Sequence, residues 1–224
     1  KDNSTDKLEY VIDTDTNTAT ATRYVTLEGY QFKDNTAASY TATDGTHTEA
    51  WAGRTKVGNK VENNKLTVTG GSLTTAAYGG LVENNKVGVT TGDAEKNTIA
   101  ISGGTVTNAY GAEVRTKAGR ATENTAEITG GTVTNVYGAA LTAAGATGKI
   151  EKSKVNISAG ASVTGDVYGG RITDAGATGS VTGSTLNITG GTVNGTIYAA
   201  HTNGTGDSKD NTVNITGGTL HDVY

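Results

Sequence analysis

Residues 126–139 read Ala-Glu-Ile-Thr-Gly-Gly-Thr-Val-Thr-Asn-Val-Tyr-Gly-Ala. The stretch combines apolar residues at alternating positions, a central Gly-Gly pair, and a tyrosine that small residues follow. Related blocks occur at 66–80, 99–112, 155–170, 186–200 and 213–224, and their tyrosines lie 26 to 32 residues apart. A block that recurs with this period is typical of a repeat protein in which each copy forms one structural unit.

Alternation with period two predicts that each block forms short β-strands. When the copies are stacked, equivalent apolar residues align into columns. Such columns require each coil to lie directly on the next, with parallel strands about 4.8 Å apart. The column that we predict to form the structural core contains Val68, Ile101, Ile128, Ile157, Ile188 and Ile215.

Three positions in each repeat favour a corner. The first is the Gly-Gly pair, where a positive φ or a close backbone approach is needed. The second is the small residue after each tyrosine. The third is a polar position, where Asn tolerates a left-handed backbone and can hydrogen-bond along a stack. The third position is occupied by Asn64, Asn97, Asn124, Ser153, Ser184 and Asn211. Three corners and three strands per repeat predict an all-β fold, a parallel β-helix (β-solenoid) of about seven coils.

The pattern divides the chain into two parts. Residues 35–224 contain the β-helix repeats, whereas the Thr-rich residues 1–34 are expected to form irregular coils or a cap. The chain begins without an initiator methionine and stops partway through a repeat, so we expect it to be a fragment of a longer solenoid. The absence of proline agrees with central strands, in which every backbone N–H is needed.

The composition argues against several functional classes. The net charge is −4 and no basic block is present, so nucleic acid is not an expected partner. No apolar run approaches the roughly 18 residues of a membrane span, so direct membrane insertion of this fragment is not expected. Cysteine is absent, and the three histidines lie in different coils without the spacing of paired ligands. We predict no metal site and no cofactor.

The Ile-Thr-Gly-Gly-Thr-Val motif followed by Val-Tyr-Gly resembles the passenger repeats of autotransporter-type (type V secreted) surface proteins of Gram-negative bacteria. The resemblance covers about residues 35–224. It implies a right-handed parallel β-helix, export through an outer-membrane barrel, and a place on the bacterial cell surface or among secreted proteins. It also implies roles in adhesion, aggregation, biofilm formation or virulence. No binding residues of that family map onto this sequence.

The resemblance makes an adhesin segment the leading hypothesis. Its expected partners are a host-cell receptor, a glycan or the surface of a partner bacterium. Specificity is expected in the variable stretches 79–97, 138–154 and 169–185, since these differ most between repeats. Exposed solenoid ends can also pair strand to strand, so end-to-end self-association is a further expectation.

The tyrosines form an aromatic column that has two interpretations. If the preceding aliphatic residue points inward, alternation places the ring on the outer surface, where we expect it to be accessible to solvent. An external aromatic stripe could bind glycans or a protein. Uniform repetition favours the second interpretation, a ladder that covers a corner and stabilises the stack. The candidate binding residues are Trp51, Tyr78, Tyr110, Tyr137, Tyr168 and Tyr198.

Two alternatives to an adhesin remain open. The first is a carbohydrate-active enzyme, a polysaccharide lyase or glycosidase, because such enzymes cluster carboxylates and basic residues on a β-helix face. Asp166, Arg171 and Asp174 form the best local group, but both they and the acidic pair Asp207 and Asp210 lie in polar stretches, and we predict no catalytic residue.

The second alternative is an ice- or glycan-binding face. Pairs of outward hydroxyls, such as Thr105 with Thr107 and Thr132 with Thr134, form a regular array that could order water. Strand propensity and contacts between coils explain the same array without a ligand.

Overall fold

The structure is a computed structural model that describes residues 11–13, 18–20, 39–56, 58–83, 88 and 90–224. The described residues form β-strands joined by turns, and none of them lies in a helix. Neighbouring strands are parallel except for one antiparallel pair, Val11–Asp13 with Thr18–Thr20. The fold is therefore a β-solenoid, as the repeat predicted. The described residues contain no helix of the length and apolarity that a membrane span requires.

Each turn of the solenoid contributes strands to three faces. Face A consists of Ser39–Ala42, Lys65–Val68, Thr98–Ile101, Thr125–Ile128, Lys154–Ile157 and the first parts of Thr185–Thr202 and Thr212–Val223. Face B consists of Thr46–Thr55, Ser72–Val82, Thr105–Val114, Thr132–Leu141, Ser162–Val163 with Val167–Ile172, and the remaining parts of Thr185–Thr202 and Thr212–Val223. Face C consists of Val61–Glu62, Ala94–Glu95, Ala121–Thr122, Lys149–Glu151, Ser180–Thr182 and Ser208–Lys209. The stack has about six turns, close to the number predicted.

Equivalent residues of successive repeats are paired in register. On face A, Ile101 pairs with Ile128, which in turn pairs with Ile157. On face B, Tyr110 pairs with Tyr137 in the next coil. Like residues therefore stand directly above one another, and the predicted columns are confirmed.

The predicted core column lies inside the solenoid. Its buried members, each at most 1% exposed, are Val68, Ile101, Ile128, Ile157 and Ile188. Burial of each such side chain contributes roughly 1.5–3 kcal/mol of hydrophobic stabilisation. Ile215 occupies the same column, in register with Ile188, and is 45% exposed because its strand Thr212–Val223 pairs only with the preceding coil.

The Gly-Gly pair forms the corner between faces A and B, as predicted. Gly104 has a φ of 77°, and a Cβ at this position would lie 2.6 Å from the carbonyl oxygen of Gly71. Both the left-handed backbone and the close approach of the coil below exclude a larger residue.

The small residue after each tyrosine has a different role from the one predicted. Strand Thr105–Val114 continues through Gly111 without a break, so no corner separates strands there. A Cβ on Gly111 would lie 2.3 Å from the carbonyl oxygen of Gly138 and 2.8 Å from backbone atoms of Thr125. Glycine is required because face B passes close to the start of face A. The second corner lies further along the chain than predicted, after the end of each face B strand. The strand therefore contributes side chains to both of the two separate apolar clusters in the interior.

The third corner contains a buried hydrogen-bonded ladder. The side chain of Asn97 donates to the Val61 carbonyl and to Asn124 Oδ1, both at 3.0 Å, and its Oδ1 accepts from Asn64 Nδ2 at 2.8 Å. The predicted hydrogen bonding along the stack is confirmed. The left-handed backbone belongs instead to the preceding residue, for example Lys96 with a φ of 53°.

The proposed N-terminal cap at 1–34 lies outside the described residues except for 11–13 and 18–20. These two strands form the antiparallel pair, and Thr18 aligns with Ser39 at the first strand of face A.

Candidate functional site

The aromatic column forms a continuous stack on the side of face B that points away from the main core. Successive tyrosine rings have centroids 4.4 to 5.7 Å apart and are within 17° of parallel. Trp51 continues the column below Tyr78, with which it pairs in register. We call this column the aromatic ladder, and its members are Trp51, Tyr78, Tyr110, Tyr137, Tyr168, Tyr198 and Tyr224.

The expectation that these rings are accessible to solvent is wrong for most of the ladder. Trp51, Tyr78, Tyr137 and Tyr168 are 5%, 2%, 7% and 4% exposed. The rings point away from the main core, as alternation predicted. They are nevertheless buried, because Ala76, Leu81 and Ala140 pack beside them and neighbouring rings cover their faces. Stacked rings offer mainly their edges to a ligand, so this geometry favours a structural role, and ligand binding by the ladder stays a prediction.

A network of charged groups borders the lower part of the ladder, the end that contains Trp51 and Tyr78. Arg54 Nε lies 2.6 Å from Glu83 Oε2, and Arg115 contacts Glu83 at 3.0 Å and Glu113 at 2.8 Å. Arg115 also donates to the Tyr78 hydroxyl oxygen at 3.0 Å. Because both glutamates are nearly buried, pairing is needed to offset the loss of their hydration. We call these residues the charge network: Arg54, Glu83, Glu113 and Arg115.

The charge network was missed by the sequence reasoning. The sequence did contain a signal for this contact, because Glu83 and Arg115 occupy equivalent positions, each directly after the last inward residue of a face B strand. Loops of unequal length separate them by 32 positions, so their contact becomes evident only when the coils are aligned.

A second polar cluster borders the upper part of the ladder, where Tyr168 and Tyr198 lie. Asp166 Oδ2 accepts a hydrogen bond from the Tyr168 hydroxyl at 2.9 Å, and the Arg171 guanidinium lies 4.3 Å from the centre of the Tyr168 ring. His201 is the register partner of Arg171 in the next coil, and its ring meets Tyr198 edge-on at 4.9 Å. We call Asp166, Arg171 and His201 the upper cluster.

The structure brings together only part of the candidate catalytic group. Asp166 and Arg171 both contact Tyr168, whereas Asp174 Oδ1 accepts backbone hydrogen bonds from Gly145 and Gly176 and fixes a turn. Asp207 is exposed and pairs with Lys209 at 2.7 Å. Among the described residues, no group of His, Asp and Glu is arranged to hold a metal ion.

The outward threonines are hydrogen-bonded to the coil below. Thr107 Oγ1 donates to the Thr74 carbonyl at 2.9 Å, and Thr74 Oγ1 donates to the His47 carbonyl at 3.3 Å. These hydroxyls are engaged in holding coils together, which favours the structural interpretation of the array over ordered water.

The variable stretches contain short loops at the corner between faces B and C. Thr178 N donates to the Ala146 carbonyl at 3.0 Å, and Thr205 N donates to the Ala177 carbonyl at 2.9 Å. The loops around these residues therefore stack on one another and extend the order of the coils into this corner.

The buried ladder predicts how the chain responds to high pH. Burial is the largest cause that raises the pKa of Tyr78, Tyr110, Tyr137 and Tyr168 above the ordinary value of 10.0. A pKa raised by folding contributes stability that is complete below the unfolded pKa and is lost as pH rises toward the folded pKa. We expect part of the phenolate absorbance to appear only when circular dichroism reports unfolding. A phenolate change that is complete while the dichroism is still native would contradict this.

No protein-family model, curated protein or solved structure matches this chain. The resemblance to autotransporter passengers therefore stays a prediction from the repeat motif.

Proposed function

We propose that the chain is a rigid structural and adhesive segment of a bacterial surface protein, an adhesin that holds binding surfaces away from the cell. One observation carries the proposal: equivalent residues pair in register in every turn from Thr46–Thr55 to Thr212–Val223. A stack held together along its whole length transmits force and keeps its outer faces in fixed positions.

The side-chain chemistry supports a structural role. The buried Asn ladder, the aromatic ladder and the charge network all connect one coil to the next, so they stabilise the stack along its axis. The glutamates of the charge network are already paired with arginine, which leaves them poorly suited to proton transfer. These features favour adhesion over the enzymatic alternative.

The proposed partners are a host-cell receptor, a glycan or the surface of another bacterium, and the parent protein would be anchored in the outer membrane or secreted. Repeated coils present equivalent groups at regular intervals, so weak contacts can add up to strong attachment. Self-association is a further proposal, because the backbone groups of strands at the ends of a solenoid can pair with a strand of another copy.

The proposal is tested by coating beads with the chain and measuring their retention on host cells, glycan surfaces and chain-coated surfaces under flow. We expect retention above that of beads coated with an unrelated protein of similar charge. The same preparation is incubated with pectin, glycosaminoglycan and mucin polysaccharides, and no product release is expected.

Beads that are not retained on any surface would contradict the adhesive function. Polysaccharide turnover that Asp166→Ala abolishes would replace it with the enzymatic alternative. Asp174→Ala is the matched control, because Asp174 belongs to a turn away from the upper cluster.

A further inference from the structure

Three arginines border the aromatic ladder, and within the described part of the chain two of them have an acidic partner. Arg54 pairs with Glu83, and Arg115 pairs with Glu83 and Glu113. Arg171 makes no ion pair within 4.0 Å in the part of the chain that the structure describes. Its register neighbours in the adjacent coils are Ala140 and His201, neither of which carries a negative charge.

The carboxylate of the upper cluster, that of Asp166, accepts hydrogen bonds from other groups. Asp166 Oδ2 accepts from the Tyr168 hydroxyl at 2.9 Å, and Asp166 Oδ1 accepts from the Thr196 N–H at 2.8 Å. Arg171 instead lies over the Tyr168 ring, with Tyr137 at 6.0 Å. Stacking on aromatic rings orients the guanidinium but does not neutralise its charge.

Two nitrogens of the upper cluster have no hydrogen-bond partner. Arg171 Nε and His201 Nδ1 are buried at the atomic level and unpaired, although both side chains are partly exposed. Unpaired buried polar atoms are uncommon, and an acceptor supplied by a bound group is one explanation for them. Small rotations of these two side chains would let such a group reach them.

We propose that Arg171 and His201 form a binding site for the carboxylate of an acidic sugar, a uronate unit of an anionic polysaccharide. A guanidinium recognises a planar carboxylate through two parallel hydrogen bonds, and Arg171, which has no acidic partner and no partner at Nε, can supply them. The inference names a ligand class for the adhesive segment and so rests on the proposed function.

The surroundings favour a sugar over a small anion. The residues that follow the face B strands beside the upper cluster are Thr142, Thr173 and Asn203, which are neutral and polar. They come from successive coils, because Thr173 N donates to the Leu141 carbonyl and Asn203 N donates to the Ile172 carbonyl. Thr142 Oγ1 donates to Glu113 Oε1 and Asn203 Nδ2 donates to the Thr173 carbonyl, so it is their oxygen atoms that can accept hydrogen bonds from the hydroxyls of a chain of sugars.

The experiment measures the binding of tetragalacturonate to the wild-type chain by calorimetry at low salt. Neutral galactotetraose, a sulfated tetrasaccharide and a polyglutamate peptide are measured in parallel. We expect tetragalacturonate to bind, galactotetraose not to bind, and Arg171→Gln to weaken binding by about tenfold or more, as loss of a charged hydrogen bond requires. Arg120→Gln is the matched control, since Arg120 is exposed and lies away from the ladder.

A second measurement on the wild-type chain keeps the test decisive if Arg171→Gln does not fold. The imidazole NMR signals of His201 should shift as tetragalacturonate is added, whereas those of His47, on a strand at the other end of the stack, should not. Binding without a shift of His201, or affinity unchanged in folded Arg171→Gln, would overturn the proposal. Equal binding of the sulfated sugar or polyglutamate would also overturn it, because the site would then select charge alone.

Failure of this inference can be distinguished from failure of the proposed function. A chain that is retained on cells but does not bind tetragalacturonate contradicts only the uronate site. A chain that binds tetragalacturonate but is not retained on any surface contradicts only the adhesive function.

Discussion

Ile157→Asp is expected to unfold the chain, or at least every coil that packs against residue 157. Ile157 is 1% exposed and lies between Ile128 and Ile188 in the core column. Removing a large buried aliphatic side chain costs about 2–5 kcal/mol, and an unpaired carboxylate in the same apolar space adds to that cost. Because a domain of this kind is stable by only about 5–15 kcal/mol, the combined loss removes most of its stability.

Thermal unfolding followed by circular dichroism measures this effect. The matched control is Asn156→Asp on the same strand, because the Oδ1 atom of Asn156 accepts a hydrogen bond from Asn187 Nδ2 at 2.9 Å. An aspartate preserves that acceptor on the outer face but stands opposite Glu127 in the next coil, so the melting temperature should fall far less than for Ile157→Asp. A melting temperature for Ile157→Asp equal to that of the wild type would show that residue 157 does not lie in a packed core.

The core column was predictable because a solenoid places each residue against its equivalent in the next repeat. Alternation fixed which residues of 126–139 face inward, and repetition fixed their neighbours at Ile101 and Ile157. No knowledge of distant contacts was needed. Ile215 lies in the same column and is 45% exposed, because a column position specifies direction, whereas burial also requires a coil on each side.

The burial of the aromatic ladder was not predictable from alternation. Period two gives the side of the strand on which Tyr137 lies, but it does not reveal that Ala140 and the neighbouring rings cover that side. The same limit applies to Gly111, whose role depends on a close approach to Thr125 that belongs to a different face. Such contacts depend on how the strand bends between two cores.

The polar clusters were only partly predictable. Asp166 and Arg171 were recognised as a local group because they are five positions apart in the sequence. His201 joins them only through the register between coils. Asp174 is close in sequence but belongs to a turn, where its carboxylate accepts two backbone hydrogen bonds. Sequence distance is therefore a poor guide to proximity wherever a coil turns a corner.

The buried Asn ladder supplies the second large expected effect. Asn97 is fully buried, and its side chain has hydrogen-bond partners in the coils on both sides. Alanine at this position would remove the donor that satisfies the Val61 carbonyl and the acceptor that satisfies the Asn64 amide. Each buried polar group that loses its partner costs about 1–3 kcal/mol, because it gave up its hydration on folding.

Asn97→Ala is therefore expected to lower the free energy of unfolding by about 3 kcal/mol or more, measured by urea denaturation. Hydrogen exchange should accelerate most in the coils that contain Asn64 and Asn124, since each coil is stabilised mainly by its neighbours. Asn108→Ala is the control, because Asn108 also bonds to both neighbouring coils, through the Thr75 carbonyl and Asn135 Nδ2, but on the outer face, where water can replace these bonds and the loss should cost about 1 kcal/mol or less. Equal effects of the two substitutions would contradict the prediction, because they would mean that burial adds nothing to the hydrogen bonds of the Asn ladder.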